Sequence, residues 1–229
     1  MDINKCEDSS VHSVIEHQSE FSSHSNEPNE AYWSNFYSNS KELPFEPSDF
    51  SMYALHFLQN RIKKKSQIHI LDLGCGNGRD SYFFSSKGYK VTGIDPSSQI
   101  ETDKFQFIQK NVFELELKGF DVYYLRFVLH TLLESDCDQL FQKLSLLPPE
   151  TLIMFETRST KNITNEEKSE TFFRSPIGLE HFRMLYSKKY INKKISENFT
   201  VLKSSDSSDV AIFKSENPFC LRYIIQPKH

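Results

Sequence analysis

Alanine is almost missing from this 229-residue chain: there are three, beside a single tryptophan and seven glycines. Lysine, asparagine, serine and isoleucine are common instead, a bias we attribute to the source genome rather than to function. Cysteine is sparse as well. Cys6, Cys75, Cys137 and Cys220 share no CxxC spacing, which argues against a zinc ribbon and against a disulfide framework. No metal-ligand cluster stands out. No run approaches the ~18 apolar residues of a membrane span, so no membrane association is expected. The first residues are acidic and polar, wrong for a leader peptide, and the cytoplasm is the default location. The net charge of −4 argues against general nucleic-acid affinity.

What is present is uneven. Residues 1–30 hold seven acids, one lysine and seven serines. Taking their −6 from the total of −4 leaves the other 199 residues at about +2. So polar a segment cannot bury enough surface to offset its ordering entropy, and 1–30 is expected to be a disordered tail. Residues 31–229 carry most of the 20 phenylalanines and have ample apolar residues for one core. One domain plus a tail is the expectation.

Order is expected to begin at the aromatic cluster Tyr32-Trp33-Ser34-Asn35-Phe36-Tyr37. Ser48 reads as an N-cap, with Asp49 in the first turn. Met52, Leu55, Leu58 and Ile62 recur at helical spacing, predicting a helix over 49–63. Strands are predicted at 68–73, 90–95, 105–108, 120–125 and 151–156. Gly88 stops a short helix over 79–86. Ser135 reads as the cap of a helix bearing Cys137, Leu140, Phe141 and Leu144 on one face. Strands separated by helices pair in parallel. The polar run 158–177 reads as an irregular lid. Ser187 caps a further helix, and two β-rich runs close the chain around 199–212 and 220–226.

The chemistry is concentrated in Ile70-Leu71-Asp72-Leu73-Gly74-Cys75-Gly76-Asn77-Gly78-Arg79-Asp80 and in Val91-Thr92-Gly93-Ile94-Asp95-Pro96. Three of the seven glycines fall within five residues, directly after a buried strand. A strand, glycine turn and helix place a ligand at the carboxyl edge of a sheet. Asp95 ends the next strand, 21 residues after Gly74, where a carboxylate can accept from two ribose hydroxyls. The spacing is GxGxG, and Arg79 stands where a dinucleotide site wants its third glycine. Asp72 would repel a pyrophosphate but receive an α-ammonium. Adenosine, ribose diol and ammonium together describe S-adenosylmethionine. No Gly-Lys-Ser/Thr follows, which excludes a P-loop.

On these motifs the chain resembles the class I S-adenosylmethionine-dependent methyltransferases over roughly residues 32–226. The resemblance implies a Rossmann-like α/β fold: a seven-stranded, mostly parallel sheet with an antiparallel last strand and helices on both faces. It implies that Asp72, Gly74, Cys75, Gly76 and Gly78 form the methionine-side loop and that Asp95 holds the ribose. Asn111, followed by Val112, replaces the acid usual at the adenine amino group, and an amide oxygen still accepts there. Only nine residues, Pro96 to Lys104, join strands two and three, so a loop or one helical turn is expected.

Arg126 ends the fourth strand and is expected to bind the methionine carboxylate or an anionic substrate. His130 follows, a candidate general base or a structural histidine. The chain is also similar to a subgroup of bacterial methyltransferases found near surface-polysaccharide genes. The shared features are Tyr32-Trp33-x-x-Phe36-Tyr37, Pro47-Ser48-Asp49-Phe50, Arg126-Phe127-Val128-Leu129-His130 and Glu156-Thr157-Arg158-Ser159. Met184 replaces the second arginine of that subgroup's His-x-Arg-Arg, which weakens transfer of its substrate. Tyr37, Glu156, Arg158 and His181 are the candidate substrate residues. Methyl transfer needs alignment and exclusion of water rather than a metal. A hydroxyl acceptor wants a base, His130 or His181; an anionic oxygen wants cationic guides, Arg126, Arg158 and Arg183. The expected function is methylation of a small molecule or glycan precursor, with transfer to oxygen favoured. Alternatives are tRNA or RNA methylation, kept open by Lys63–Lys65 and the lysines of 188–194, and a non-catalytic cofactor-binding partner protein.

Overall fold

The computed structural model describes residues 32–37, 45–61, 65–163, 172–177, 181–212 and 216–228. The elements alternate as the hydrophobic runs dictate: α1 (Asp49–Gln59), β1 (His69–Leu73), α2 (Arg79–Ser86), β2 (Lys90–Ile94), β3 (Gln106–Ile108) and β4 (Val122–Arg126). Then follow α3 (Glu134–Ser145), β5 (Leu152–Arg158), β6 (Phe172–Ile177), β7 (His181–Tyr186), α4 (Lys188–Ile195), β8 (Phe199–Ser207) and β9 (Cys220–Pro227). A short helix over 32–37 precedes them.

Seven strands form one sheet in the order β3-β2-β1-β4-β5-β9-β8. The first five are mutually parallel. β9 inserts antiparallel between β5 and β8. Strand order reverses between β1 and β4, the switch point at which an open α/β sheet leaves a crevice. Side-chain alternation divides the central strands between two cores. Ile70, Val122, Tyr124, Leu152, Met154 and Ile224 pack with Phe50, Ala54 and Leu58 of α1 and Phe84 of α2. Leu71, Leu73, Tyr123, Leu125, Ile153, Phe155 and Tyr223 pack with Leu140, Phe141 and Leu144 of α3 and Ile191 of α4. Helices therefore cover both faces.

Caps define the helix starts. The Ser48 hydroxyl accepts from Ser51 N, and Ser187 from Tyr190 N. Ser135 is not a cap: α3 starts one residue earlier behind Leu133, and Ser135 lies in its first turn. The apolar face of α1 also differs from the expected one. Phe50, Ser51, Ala54, Leu55 and Leu58 are buried, while Met52 is 46% exposed. The i, i+4, i+8 row from Phe50 wins because it meets the sheet. Residues 62–64 lie outside the described residues, as does the 1–30 segment. The run 158–177 is not one irregular lid. β5 continues to Arg158, and Phe172–Ile177 pairs antiparallel with His181–Tyr186 as a separate hairpin. The link between β2 and β3 is an irregular loop with no helical turn. No helix among the described residues is long and apolar enough to cross a membrane.

Candidate active site

A cavity of about 400 Å³ opens at the carboxyl ends of β1, β2 and β4. The loop after β1 forms its floor. Cys75 N donates to the Ile94 carbonyl at 3.0 Å, which holds this loop against the end of β2. Gly76 N donates to Asp95 Oδ2 at 3.0 Å, and Ser97 N to Asp95 Oδ1 at 2.8 Å. Both oxygens are thus held by backbone donors. Gly76 has φ +57°, and a Cβ built on it would stand 2.5 Å from the Tyr37 hydroxyl. Tyr37 therefore lies directly over the glycine loop. Burial, with Asp95 and Cys75 beside it, raises its pKa, so it stays a neutral hydroxyl. Burial, with Asp72 and Asp95, also keeps the Cys75 thiol protonated.

Asp72 ends 2% exposed beneath this loop. The Ser81 hydroxyl donates to its Oδ2 at 2.6 Å. Burial and the nearby Asp80 push its pKa up to about 8. Asp80 is held from the other side by Ser48 N at 2.8 Å, Ser48 Oγ at 2.7 Å and Tyr124 Oη at 2.8 Å. The cap of α1 is thereby tied to the start of α2. Asn111 Oδ1 accepts from Phe113 N at 3.2 Å, and Asn111 and Val112 both line the cavity.

The strand-four side is cationic and aromatic. Arg126 Nε donates to Glu156 Oε1 at 3.1 Å, and Arg222 Nε to Glu156 Oε2 at 2.6 Å. Burial weakens the charge of Arg126, but Glu156, Tyr124 and Asp80 outweigh it and its pKa rises. Phe127 has φ +60°, a costly conformation for a bulky residue and one that clusters at functional sites. Its ring carries the Arg126 guanidinium at 4.3 Å and the Arg158 guanidinium at 5.6 Å. His130 is 3% exposed, beside Phe127 on the cavity wall.

Of the residues singled out in the sequence, Tyr37, Asp72, Gly74, Cys75, Gly76, Asp95, Asn111, Val112, Arg126, His130 and Arg158 meet at this cavity. Three do not. Gly78 opens α2 at φ +77°, and a Cβ there would press on Phe105 and Ile100; it serves the turn, not the wall. Glu156 is fully buried, and both its oxygens are taken by arginines, so it positions Arg126 instead of facing a substrate. His181 begins β7, but its side chain lies outside the described residues. The sequence reading missed Asp80, Phe127 and Glu216. Asp80 stood two residues after the last loop glycine, where an acid in the first turn of a helix invited attention. Phe127 and Glu216 left no such signal.

The cradle suits an S-adenosyl cofactor. It offers two buried carboxyl groups, Asp72 and Asp95, and a loop that only glycine allows at Gly76. Comparison with known proteins agrees. Residues 51–193 match the family described as a methyltransferase domain. The chain belongs to this methyltransferase family. A methyltransferase relative from Geobacillus sp. (strain WCH70) is 29% identical over 121 residues, 45% of the chain and 49% of the relative. The chain thus matches about half the length of that curated relative. Among solved structures, the Burkholderia thailandensis 1,6-didemethyltoxoflavin-N1-methyltransferase, with that compound and S-adenosylhomocysteine bound, superposes with TM-score 0.69 at 14% identity. It covers 99% of this chain and 94% of that one. An S-adenosylmethionine-dependent methyltransferase from Anabaena variabilis gives 0.63 at 15% identity, covering 89% and 95%. The glycopeptide N-methyltransferase MtfA gives 0.57 at 14% identity, covering 79% and 97%. At these identities the likeness is one of fold. The chain shares the fold of these methyltransferases.

Proposed function

We propose that this protein transfers a methyl group from S-adenosylmethionine to an oxygen of a small molecule or glycan precursor. The observation that carries this reading is the cradle of Gly76 and Ser97 N–H groups around Asp95, on the cavity wall. Bound there, the cofactor supplies an activated methyl on a sulfonium. Asp95 accepts from the two ribose hydroxyls. Asp72 receives the α-ammonium, and Asn111 with Val112 borders the adenine. Arg126, set in place by Glu156 and Arg222, takes the methionine carboxylate. Tyr37, Trp33 and Phe36 cover the loop and exclude water. His130 serves as base where the acceptor is a hydroxyl. A cavity of this size, partly roofed by aromatics, suits a small acceptor better than RNA. The lysines of α4 are not among its wall residues.

The test is calorimetric titration with S-adenosylhomocysteine. Asp95→Ala should weaken binding by about 10- to 100-fold, the loss of two hydrogen bonds to a charged group. Unchanged affinity in the folded variant overturns the ribose assignment.

A further inference from the structure

Five cations line the cavity: Arg79, Lys110, Arg126, Arg158 and Arg183. Their counter-charges are unequally distributed. Arg126 has the wholly buried Glu156. Arg79 lies near Asp80. Among the described residues, Arg158 and Arg183 have one acid between them, Glu216. Arg158 Nη2 donates to Glu216 Oε2 at 2.8 Å, with the arginine side chain 15% exposed and the glutamate 54%. Arg183 feels the repulsion of Arg158 and the attraction of Glu216, and burial makes its charge costly. The Nε atoms of both arginines are buried and make no hydrogen bond among the described residues.

The pair stands on two strands that are joined. Arg158 ends β5 and Arg183 lies within β7. A parallel bridge between Ser159 and Tyr186 joins the two strands at that point. Two guanidiniums near enough to repel each other, with buried Nε donors that make no hydrogen bond among the described residues, cost free energy unless an anion joins them. Glu216 is a weak occupant for that position. It is more than half exposed, so water can take up its charge when it leaves the pair. It is therefore cheap to displace. Phe127 stands beside Arg158, and Trp33 and Phe36 add flat apolar surface to the same cavity.

We propose that Arg158 and Arg183 form a clamp for the acidic group of the acceptor, and that Glu216 is a resident stand-in which leaves when that group enters. The acceptor is then an organic acid with a planar apolar body, its anion a carboxylate or a phosphate monoester. This rests on the methyltransferase reading for the acceptor's role, while the clamp itself is tested separately. Arginine forks match both kinds of oxyanion bidentately.

Benzoate and phenyl phosphate are the probes. Each is titrated into the protein alone and into the protein saturated with S-adenosylhomocysteine. Trp33, the chain's single tryptophan, stands on the cavity wall, so its fluorescence reports occupancy directly. We expect saturable binding of at least one probe, and the one preferred tells carboxylate from phosphate. Arg183→Met should weaken it by roughly 10- to 100-fold. Glu216→Gln should tighten it by roughly threefold to tenfold, because a competitor is removed. A purely structural ion pair predicts no such gain. Both variants should keep wild-type affinity for S-adenosylhomocysteine. Absence of binding by either probe, or no tightening in Glu216→Gln, overturns the clamp. If the probes bind as expected and S-adenosylhomocysteine does not, the cofactor reading fails and the clamp stands.

Discussion

Asp72 is a carboxyl whose surroundings oppose its charge. It is buried, Asp80 and Asp95 lie nearby, and of its neighbours the Ser81 hydroxyl favours ionisation by hydrogen bonding. With its pKa at about 8, it holds a proton at neutral pH in the cofactor-free protein. A cation placed beside it reverses that balance. Binding of S-adenosylhomocysteine at pH 7 should therefore release up to about one proton. Calorimetry in buffers of different ionisation heat measures this, and Asp72→Asn should abolish it. A wild-type enthalpy independent of the buffer would show that no cation approaches Asp72. Gly76 gives a second test. Gly76→Val should lower both Tm and cofactor binding, because its side chain meets Tyr37 and the ligand's approach. Adding Tyr37→Ala should recover part of the Tm and none of the binding, as read by thermal unfolding and titration. At this scale the glycine loop at the cavity was legible, because its residues follow directly on strand ends. Glu156 was not. Its role depends on Arg222, which lies opposite it in the β5–β9 register, a pairing of distant segments that no local pattern reveals. The positive φ of Phe127 was equally invisible, since nothing about phenylalanine advertises it.

The helix over 32–37 follows directly on a boundary of composition. Tyr32, Trp33, Phe36 and Tyr37 all reach the cavity wall, whereas the acidic, serine-rich stretch before them lacks the apolar residues to form a core. We propose residue 31 as the start of the methyltransferase domain. Removing residues 1–28 should leave both Tm and S-adenosylhomocysteine affinity at wild-type values. Removing residues 1–38 should weaken the affinity at least tenfold, since four aromatic side chains leave the wall. A truncation series followed by calorimetry checks both outcomes, and equal affinities would detach the helix from the site. The parallel strands and their helices were readable from alternation and from caps such as Ser48. The hairpin of β6 and β7 was not, because Arg158 to Ile177 is rich in polar residues and shows no strand period. The buried run Met184, Leu185 and Tyr186 was a weak sign that a strand lay nearby.

Across the whole molecule, burial of acids around one cavity ties stability to pH. An unfolded aspartate ionises near pH 4, whereas folded Asp72 does so at about 8. Between those values the folded state holds the extra proton, so stability falls as pH rises through the window. Burial also raises Asp95 and Glu156, which act in the same direction. The cofactor-free protein should therefore lose Tm from about pH 5 to about pH 8 relative to Asp72→Asn. Parallel curves for the two proteins, measured by thermal unfolding across that range, would place Asp72 in contact with water. The sheet order and the two cores follow from the same alternation that made the strands readable. The closing topology was the less legible part: two β-rich runs signal strands, but only tertiary packing decides which of them lies inside.

The inner of the two is β9, the later in the chain, and this sets an order in time. On the ribosome β8 emerges first and finds no neighbour, because its place in the sheet is defined by a strand not yet made. Until Cys220–Pro227 arrives, β5 is a raw edge and Glu156 has lost one of its two arginines. The glycine loop can form early, but the positioning of Arg126 waits for β9. A nascent chain stalled before residue 220 should thus be held open at the sheet edge, a substrate for chaperones and proteases rather than a partly working enzyme.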